Sequence, residues 1–487
     1  MSNELKRSLS LQDAISIVAG SMIGCGIFIV SADISRQVGS AFLLLLVWAL
    51  AGFVSYCGAI AYGELASNIP DEGGQYMYLK KIYNDKVAFL FGWTLFLVIQ
   101  AGSIAAICVA FAKFAGLLTH YISPHLYLFQ LGPIHFSTQQ LFGVVTLLAL
   151  TWINSRGIEY GIITQNLFTA AKLLSIVGIV LCGAFFGLNW HVVHANFAPS
   201  TFNFHLSDIA TISTATVGAL FAAISWNNIT FIAGEIKEPE KNVKKALKYG
   251  VGMVIILYLL VNVIYVVSTP IAAIQNAPNE IVAAVSMSAI FGDIGRKVIA
   301  VIIMISAFGC ANGMIMAGAR VYYKMAKDRL FFRNMAFINR KTKVPENSLW
   351  VQCAWVCALI VWGNYTQLLD FVIFASLIFY VLTIAGIFFH RKKFPESDKS
   401  LRIHNFYPIT FIVISTYIIG CLALNKPATT LPGLVITLAG LPVYFLWNKA
   451  KEKAMLERLS LTSNPAVSNP IGVETIGETA EETAGSK

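Results

Sequence analysis

Long apolar segments recur along almost the whole chain, and they constrain its fold more than any other feature. Segments of roughly 17–25 apolar residues are long enough to cross the ~30 Å hydrocarbon core of a bilayer as helices. Hydrophobic residues make up 57% of the chain and charged residues only 12%, values that exclude an ordinary soluble domain. The sequence therefore predicts an all-α integral membrane protein with about twelve transmembrane helices.

We place these helices in one integral domain, residues 11–448, between a short N-terminal segment, 1–10, and a tail, 449–487. The predicted spans are 11–37, 41–67, 88–118, 139–155, 162–188, 208–235, 246–269, 297–323, 349–363, 367–390, 406–424 and 431–448. An amphipathic stretch, Asn279 to Phe291, is expected to lie on the outer surface. The tail is expected to be disordered, since the residues after Arg458 are rich in Ser, Thr, Glu and Pro. The first apolar segment has no cleavage pattern, so no removed signal peptide is predicted.

The positions of Lys and Arg predict the orientation in the membrane. Most of them fall in one set of alternating loops, and the opposite loops hold only Arg36, Arg296, Lys297 and Lys426. Positive charge concentrates on the cytoplasmic side, so both termini are predicted to be cytoplasmic. The net charge of +10 follows from this asymmetry, and it does not indicate a nucleic-acid partner.

The chain lacks the patterns of an enzyme or a metal site. Its eight cysteines fall mostly within spans and show no metal-ligand spacing. It has no HExxH or GxSxG motif and no paired carboxylates at matching depth in the spans. We therefore predict no cofactor, no metal and no enzymatic activity. A substrate-sensing receptor remains open as an alternative to a transporter.

Two spans carry features that disfavour a continuous helix. The first contains IVAGSMIGCGIFIVSADI, with glycines at positions 20, 24 and 26, and the sixth contains Ser225, Trp226, Asn227 and Asn228 in succession. Gly20 and Gly24 also fit close helix packing, which is the alternative interpretation of the first span. If the first and sixth spans begin on opposite sides, the two interruptions occupy matching places in oppositely inserted halves. This arrangement is typical of inverted-repeat transporters.

Six segments resemble the amino acid–polyamine–organocation superfamily, and in particular its L-type amino-acid transporter branch. They are GSMIGCGIF, YGELASNIPDEGGQYMYL, GEIKEPEKNVKKAL, SAFGCANGMIMAGARVYYKMAKDRLFF, LTIAGIFFHRKK and AGLPVYF. The resemblance implies a LeuT-like fold of two inverted five-helix repeats, about 11–188 and 208–390, with two extra helices in 406–448. It also implies amino-acid transport by alternating access.

The resemblance places a substrate site at the two interruptions. An amino-acid carboxylate needs donors, which the first amides of a helix supply, and its ammonium needs acceptors, which the last carbonyls of a helix supply. The implied carboxylate site is Gly24 with the amides of Cys25, Gly26 and Ile27, and the implied ammonium site is the carbonyls of Ile23, Phe221, Ala222 and Ile224. Ser225 and Ser376 are expected near the substrate side chain.

Several positions depart from the family pattern. Cys25 stands where the family usually has serine, Ile224 and Ser225 stand where the branch usually has glycines, and Ser376 aligns with an asparagine of some members. Ile224 favours a smaller pocket than in relatives that take large aromatic amino acids. Phe221 matches an aromatic lid, although 33 phenylalanines make a packing role equally natural. Trp226 is expected to support the interruption, and Asn227 to cap the helix that follows.

Lys172 lies near the middle of the fifth predicted span. A lysine at that depth is expensive in a bilayer and needs partners. The alternative interpretation is a purely structural lysine bonded to helix ends. The resemblance implies that Lys172 replaces the sodium ion of coupled relatives, by bonding carbonyls of the first span and Ser306 or Asn312 of the eighth. Sodium-independent exchange of neutral L-amino acids is then the leading hypothesis. The alternatives are a proton-coupled permease and a basic amino-acid or polyamine antiporter.

The expected partners are a small-molecule amino-acid substrate and the lipid bilayer. Eukaryotic L-type members bind a heavy chain through a cysteine in the loop after the third span, and the corresponding loop, His120 to Phe136, has none. A covalent heavy-chain partner is not expected. The short termini favour a bacterial inner membrane.

Overall fold

The structure is a computed structural model that describes residues 7–131, 134–198, 208–278, 281–362, 365–395 and 401–462. The chain divides into two compact units, Met1–Leu441 and Pro442–Lys487. The larger unit contains both helix interruptions. The smaller unit is described up to Thr462 and consists there of the second part of the last helix.

Helices make up most of the described chain. In order they are α1 Leu11–Met22, α2 Gly26–Val38, α3 Ala41–Asn68, α4 Gln75–Ile82, α5 Asp85–Thr94, α6 Gln100–Ala115, α7 Thr138–Ser155, α8 Ile158–Phe186, α9 Trp190–Asn196, α10 Asp208–Ala223, α11 Asn228–Phe231, α12 Pro239–Ser268, α13 Ile271–Gln275, α14 Val282–Lys327, α15 Glu346–Trp362, α16 Tyr365–Lys393, α17 Phe406–Asn425 and α18 Pro427–Thr462. A short antiparallel hairpin, β1 Tyr127–Leu131 and β2 Ile134–Ser137, precedes α7.

Local sequence signals explain several helix ends. Ser10 and Asp13 form a capping box at the start of α1, and Ser137 and Gln140 form another at the start of α7. Such boxes satisfy amide groups that the first turn of a helix leaves without acceptors. Gly39 ends α2 in the left-handed conformation, with φ 71°, which glycine adopts without steric cost.

Ten helical segments within the described residues are long and apolar enough to cross a membrane. The prediction of an all-α membrane protein is confirmed at this level. The helices at two of the twelve predicted spans, α7 with 18 residues and α15 with 17, are not among these ten. The full count of twelve therefore stays a prediction.

Both predicted interruptions are present. α1 ends at Met22, Ile23 leaves helical geometry with ψ 88°, and α2 begins at Gly26. α10 ends at Ala223, and a 3₁₀ turn at Ser225–Asn227 leads into α11. The remaining polypeptide between α11 and α12 forms a second 3₁₀ turn at Ala233–Glu235.

Other boundaries differ from the prediction. α12 begins at Pro239 rather than at residue 246, because proline fits the first turn of a helix, where no amide donor is required. α18 continues beyond residue 448 to Thr462, and residues 463–487 lie outside the described residues, so disorder of the tail stays a prediction. Within the predicted surface stretch, Val282 to Phe291 is helical and ends at a kink at Gly292, while Asn279 lies outside the described residues.

Two features of the fold were not predicted. The hairpin β1–β2 lies between α6 and α7, and a π-helical turn, Leu95–Ile99, joins α5 to α6. Such turns are frequent at functional sites.

Candidate functional site

The two interrupted segments contact each other directly. A Cβ atom added to Gly26, the first residue of α2, would lie 2.8 Å from the Cβ of Ala222 in α10. Carbon atoms in normal contact are about 3.5–4.0 Å apart, so only glycine fits without a shift of the backbone. We predicted that Gly26 lets the backbone approach a substrate, and in this conformation it lets α2 approach α10.

Gly20 lies before the interruption and packs against α8. A Cβ atom at this position would lie 2.1 Å from Gln165 Nε2 and 2.3 Å from Thr169 Oγ1. Gly24, within the interruption, faces Cys310 of α14, whose Sγ would be 3.1 Å from an added Cβ. The alternative interpretation of these glycines, close packing between helices, therefore describes Gly20 and Gly24 in this conformation.

Lys172 of α8 lies at the end of α1. Its Nζ donates to the carbonyl oxygens of Gly20, at 2.6 Å, and of Ile23, at 2.8 Å. The residue is 1% exposed. Gly309 of α14 leaves the space that the side chain occupies, because a Cβ there would be 2.8 Å from Lys172 Cε. The lysine thus supplies donors to carbonyls that the interruption of α1 leaves without helical partners.

Ser306 of α14 contacts the same interruption from another side. Its hydroxyl lies 3.1 Å from the carbonyl oxygens of Ile23 and Gly24. The end of α1 is therefore held between α8 and α14 through the Ile23 carbonyl.

Of the two α14 residues that we named as alternatives, Ser306 or Asn312, only Ser306 reaches the interruption, and Asn312 binds elsewhere. Its Nδ2 donates to the Gly161 carbonyl at 3.0 Å and to Gln165 Oε1 at 3.1 Å, and its Oδ1 accepts from Asn154 Nδ2 at 2.8 Å. It lies six residues after Ser306 in the continuous helix α14, which places it more than a turn away along the axis. Asn312 belongs to a separate polar cluster that joins α7, α8 and α14.

Most of the carbonyls predicted to bind an ammonium group already accept hydrogen bonds from side chains. Ile23 accepts from Lys172, and the single hydroxyl hydrogen of Ser306 is within reach of both the Ile23 and the Gly24 carbonyl oxygens. Ile224 accepts from the Tyr380 hydroxyl at 2.8 Å, and Ala222 accepts from the Tyr258 hydroxyl at 3.3 Å. In this conformation the Ile23 carbonyl has side-chain donors, as buried carbonyls in a bilayer require, and its binding of an ammonium group stays a prediction.

Tyr258 of α12 joins the two interruptions. Its hydroxyl lies 2.8 Å from the carbonyl oxygen of Met22, the last residue of α1, and 3.3 Å from that of Ala222 in α10. The ring is 1% exposed and packs edge-on against Trp48. This one side chain therefore contacts the ends of α1 and α10, the helices that precede the two interruptions. No sequence pattern indicated this role, because Tyr258 is one of 18 tyrosines.

A cavity of about 30 Å³ lies beside the second interruption, between α6, α10, α14 and α16. Five predicted site residues line it, namely Phe221, Ile224, Ser225, Asn227 and Ser376. The lining also includes polar residues that we did not predict, namely Gln75, Gln100, Ser103, Asn228 and Tyr380. Cys25, Gly26 and Ile27 of the first interruption are buried and are not among the lining residues. Small-molecule sites typically enclose roughly 300–1,000 Å³, so this cavity must widen to hold an amino acid.

Of the cavity residues that we did not predict, Gln100 was the easiest to identify from the sequence. It follows the π-helical turn, and its Nε2 donates to Asn228 Oδ1 at 3.0 Å and to the Met314 carbonyl at 2.7 Å. A glutamine in the middle of an apolar span is the signal that could have identified it.

The two interruptions present backbone amides and carbonyls, and the structure describes few titratable side chains around them. Among the described residues there is no cluster of His, Cys, Asp or Glu that could hold a metal ion. Amides of the first turn of α2 and carbonyls at the ends of α1 and α10 are complementary to a carboxylate and an ammonium group. A family profile described as Amino acid permease matches residues 9–445.

The chain belongs to the amino acid permease family. It is therefore an integral membrane protein of a transporter family, not an enzyme. Large neutral amino acids transporter small subunit 2 of Homo sapiens is 28% identical over 98% of the permease and 89% of its own length. Serine/threonine exchanger SteT of Bacillus subtilis is 29% identical over 92% of the permease and 98% of its own length. The b(0,+)-type amino acid transporter 1 of Mus musculus is 27% identical over 91% of the permease and 88% of its own length.

Trp226 supports the second interruption of the permease by packing and by a hydrogen bond. Its indole Nε1 donates to Ser55 Oγ at 2.8 Å, and its ring stacks on Tyr380 with centroids 5.3 Å apart. Ser55 in turn donates to the Ala223 carbonyl. The contact reaches the last residue of α10 through a side chain of α3.

Asn227 does not cap α11, contrary to our prediction. Its backbone, with φ −64° and ψ −19°, is already helical, and its side chain makes no capping bond. A capping side chain requires an extended backbone at its own residue, and the 3₁₀ turn prevents this. Asn227 Nδ2 instead lies 3.4 Å from Gln75 Oε1 in the cavity wall.

A buried ion pair of the permease lies after the second interruption. Glu235 Oε1 and Arg320 Nε are 2.8 Å apart, and both side chains are at most 1% exposed. The Glu235 carbonyl also accepts from the amides of Ser8, at 2.9 Å, and Leu9, at 3.0 Å. The segment before α1 is thereby fixed to the turn after α11.

In the nearby loop before α4, burial raises the pKa of Glu72, against the opposing effect of Lys324 and Lys327.

Proposed function

We propose that this permease exchanges neutral L-amino acids across the membrane without sodium, by alternating access. The observation that carries the proposal is the contact of Lys172 Nζ with the Gly20 and Ile23 carbonyls at the first interruption. A fixed ammonium group occupies the place at which a coupled cation would otherwise hold the end of α1 to its neighbours.

The proposed architecture has twelve membrane spans in a LeuT-like arrangement of two inverted five-helix repeats and two further helices. In it, α7 and α15 count as short spans, and both termini are cytoplasmic. The two interruptions then lie in the first helix of each repeat. Their direct contact at Gly26 and Ala222 supports this pairing, because equivalent helices of two inverted repeats meet at the pseudo-symmetry axis.

The proposed substrate is an amino acid whose carboxylate and ammonium groups are both bound by backbone groups of the protein. First-turn amides of α2, at Cys25, Gly26 and Ile27, bind the carboxylate. Carbonyls at the end of α10 bind the ammonium after the substrate displaces the side-chain donors, of which Tyr380 on Ile224 is nearest the cavity. Phe221 closes the site as a lid. Displacement of a neutral hydroxyl by an ammonium is favourable because hydrogen bonds to charged donors are stronger.

The cavity supports a substrate with an uncharged side chain. None of its described lining residues is acidic, so nothing there pairs with a cationic side chain. Ile224, Ser225 and Ser376 on its wall favour a small or medium side chain. The names of two relatives specify large neutral amino acids and serine or threonine; both classes are neutral, and the second has the small side chains that the cavity favours. A basic amino acid or a polyamine is the disfavoured alternative.

The proposed setting is a bacterial inner membrane, with no heavy chain attached by a disulfide. The loop from His120 to Phe136 contains no cysteine for such a bond.

Counterflow in liposomes tests the proposed function. Purified permease is reconstituted, vesicles are loaded with alanine, serine, leucine or arginine, and uptake of the labelled amino acid is followed without sodium. We expect rapid uptake into vesicles loaded with a neutral amino acid, little into empty vesicles, and no stimulation by sodium. Accumulation driven by a pH gradient alone would establish the proton-coupled alternative, and preference for arginine would overturn the substrate class.

A further inference from the structure

A groove of about 530 Å³ lies at the start of α15 and shares no lining residue with the central cavity. It is lined by Phe332, Asn334, Met335, Asn347, Trp350 and Val351. Phe332 is 53% exposed, Trp350 38% and Val351 40%. Large apolar side chains thus remain uncovered in a concave surface.

The walls of this groove are fixed by hydrogen bonds between the segment after α14 and the first turns of α15. Asn347 Nδ2 donates to the Asn334 carbonyl at 2.8 Å, and Ser348 Oγ donates to the Met335 carbonyl at 3.0 Å. The ring of Phe332 packs on Phe331 with centroids 5.0 Å apart. The groove is therefore preformed, as ligand sites usually are.

The segment that forms one wall carries an excess of positive charge. Five exposed basic residues lie between α14 and α15, namely Arg329, Arg333, Arg340, Lys341 and Lys343. None of these five is in an ion pair with any residue in the described part of the chain. The acidic residue of this segment, Asp328, is paired with Lys80 at 2.7 Å. Arg333 lies between the lining residues Phe332 and Asn334, so its charge is available to an anionic ligand at the groove.

The groove lies where a membrane protein meets lipid headgroups. Trp350 is in the second turn of α15, at the start of the apolar helix Glu346–Val361. Tryptophan is enriched at the boundary between hydrocarbon and water, and basic residues beside a membrane helix attract anionic lipids. An apolar groove bordered by uncompensated cations matches a molecule with an acyl chain and a phosphate.

We propose that this groove binds one anionic phospholipid. One acyl chain lies against Phe332, Trp350 and Val351, and the phosphate lies among the basic residues of the segment between α14 and α15. A neutral phospholipid would leave those charges uncompensated, and a soluble anion would leave the apolar wall exposed. The proposal concerns the surface of the protein and does not depend on its substrate.

Native mass spectrometry of the full-length protein in detergent tests this proposal. Phosphatidylglycerol and phosphatidylcholine with identical acyl chains are compared at equal concentrations. We expect one phosphatidylglycerol molecule to be retained about tenfold more strongly than phosphatidylcholine, and this preference should decrease as salt screens the charges. Equal retention of the two lipids would overturn the proposal.

Two double variants distinguish lipid binding at the groove from a general effect of positive charge. Arg333→Gln with Lys341→Gln should abolish the preference. The control, Lys245→Gln with Lys248→Gln, removes the same charge from exposed positions of α12 and should retain it. An equal loss in both pairs would contradict a specific site.

Two further measurements test the apolar wall. Trp350→Ala should weaken retention of both lipids. Glycerol 3-phosphate, which has the headgroup chemistry without an acyl chain, should not compete. If it competes fully at similar concentrations, the basic residues bind an anion without the groove and the proposed lipid site is wrong.

Discussion

Lys172 Nζ lies 2.8 Å from the carbonyl oxygen of Ile23, and this contact joins a buried ammonium group to the residue that directly follows α1. The same carbonyl accepts a hydrogen bond from Ser306 of α14. Any movement of α1 relative to α8 and α14 must therefore lengthen or exchange hydrogen bonds at one atom. In alternating access, such a movement is expected to be part of the transport cycle.

Replacement of this lysine should slow transport more than it weakens substrate binding. Lys172→Ala leaves the Gly20 carbonyl without this donor, at about 1–3 kcal/mol, and leaves the Ile23 carbonyl with Ser306 alone. We expect a decrease of about tenfold or more in the exchange rate, measured by counterflow, while substrate still protects the variant against thermal unfolding.

Lys113→Ala provides the matched control, since Lys113 lies in the last turn of α6 and should leave exchange nearly unchanged. If Lys172→Ala exchanges at a near-normal rate, and a pH gradient affects neither the wild type nor this variant, Lys172 has only a structural role.

Gly26→Ala should disrupt the contact between the two interruptions. The added methyl group would lie 2.8 Å from the Cβ of Ala222, and overpacking of this kind costs about 1–3 kcal/mol. We expect a lower apparent unfolding temperature and greatly reduced exchange, and Ala222→Gly in the same protein should restore part of both.

Gly178→Ala is the control for this change, because a Cβ at Gly178 of α8 meets no atom within 4 Å. Alanine is favoured over glycine inside a helix by about 0.5–1 kcal/mol, so this variant should be as stable as the wild type or slightly more so. Equal destabilisation by both variants would show that loss of glycine, rather than the Ala222 contact, is responsible.

Cys25 should be protected from thiol reagents in this conformation and should react during transport. It is 1% exposed and does not line the cavity, yet it precedes the first turn of α2, where we propose that the carboxylate binds. A small membrane-permeant reagent should inhibit exchange, saturating substrate should slow the inhibition, and Cys25→Ser should transport without being inhibited. Equal inhibition of Cys25→Ser would assign the effect to another cysteine.

Arg320→Gln should destabilise the protein strongly, because it leaves Glu235 buried without its charged partner. Removal of one member of a buried ion pair typically costs about 3–5 kcal/mol. We expect a large decrease in the apparent unfolding temperature. The double variant Arg320→Met with Glu235→Gln should recover much of that loss, since no unpaired charge remains, and a double variant less stable than Arg320→Gln would contradict this account.

The sequence predicted the features of the site that carry a large energetic cost in a bilayer. Lys172 and the run from Ser225 to Asn228 are conspicuous because polar groups within apolar spans require partners. The sequence did not predict which partners they find. Tyr258 reaches the Met22 carbonyl only because α12 packs against α1, and no local pattern distinguishes it from other tyrosines.

Local backbone geometry accounts for the other differences. Asn227 has the residue type of a helix cap, but the 3₁₀ turn gives it a helical backbone and directs its side chain to the cavity wall. Asn312 and Ser306 are on one helix, but only Ser306 is level with the end of α1. We therefore predicted which residues lie near the interruptions better than we predicted which donor binds which acceptor.

Lys172 and Gly309 are matched in size, since the space left by the missing side chain of Gly309 is filled by the lysine stem. A chain with a shorter residue at position 172 would leave a void there, which alanine or serine at position 309 would fill. The two positions are thus expected to change together during evolution: related sequences that lose the lysine should also relax the requirement for glycine, and an alignment of many homologues would record this covariation.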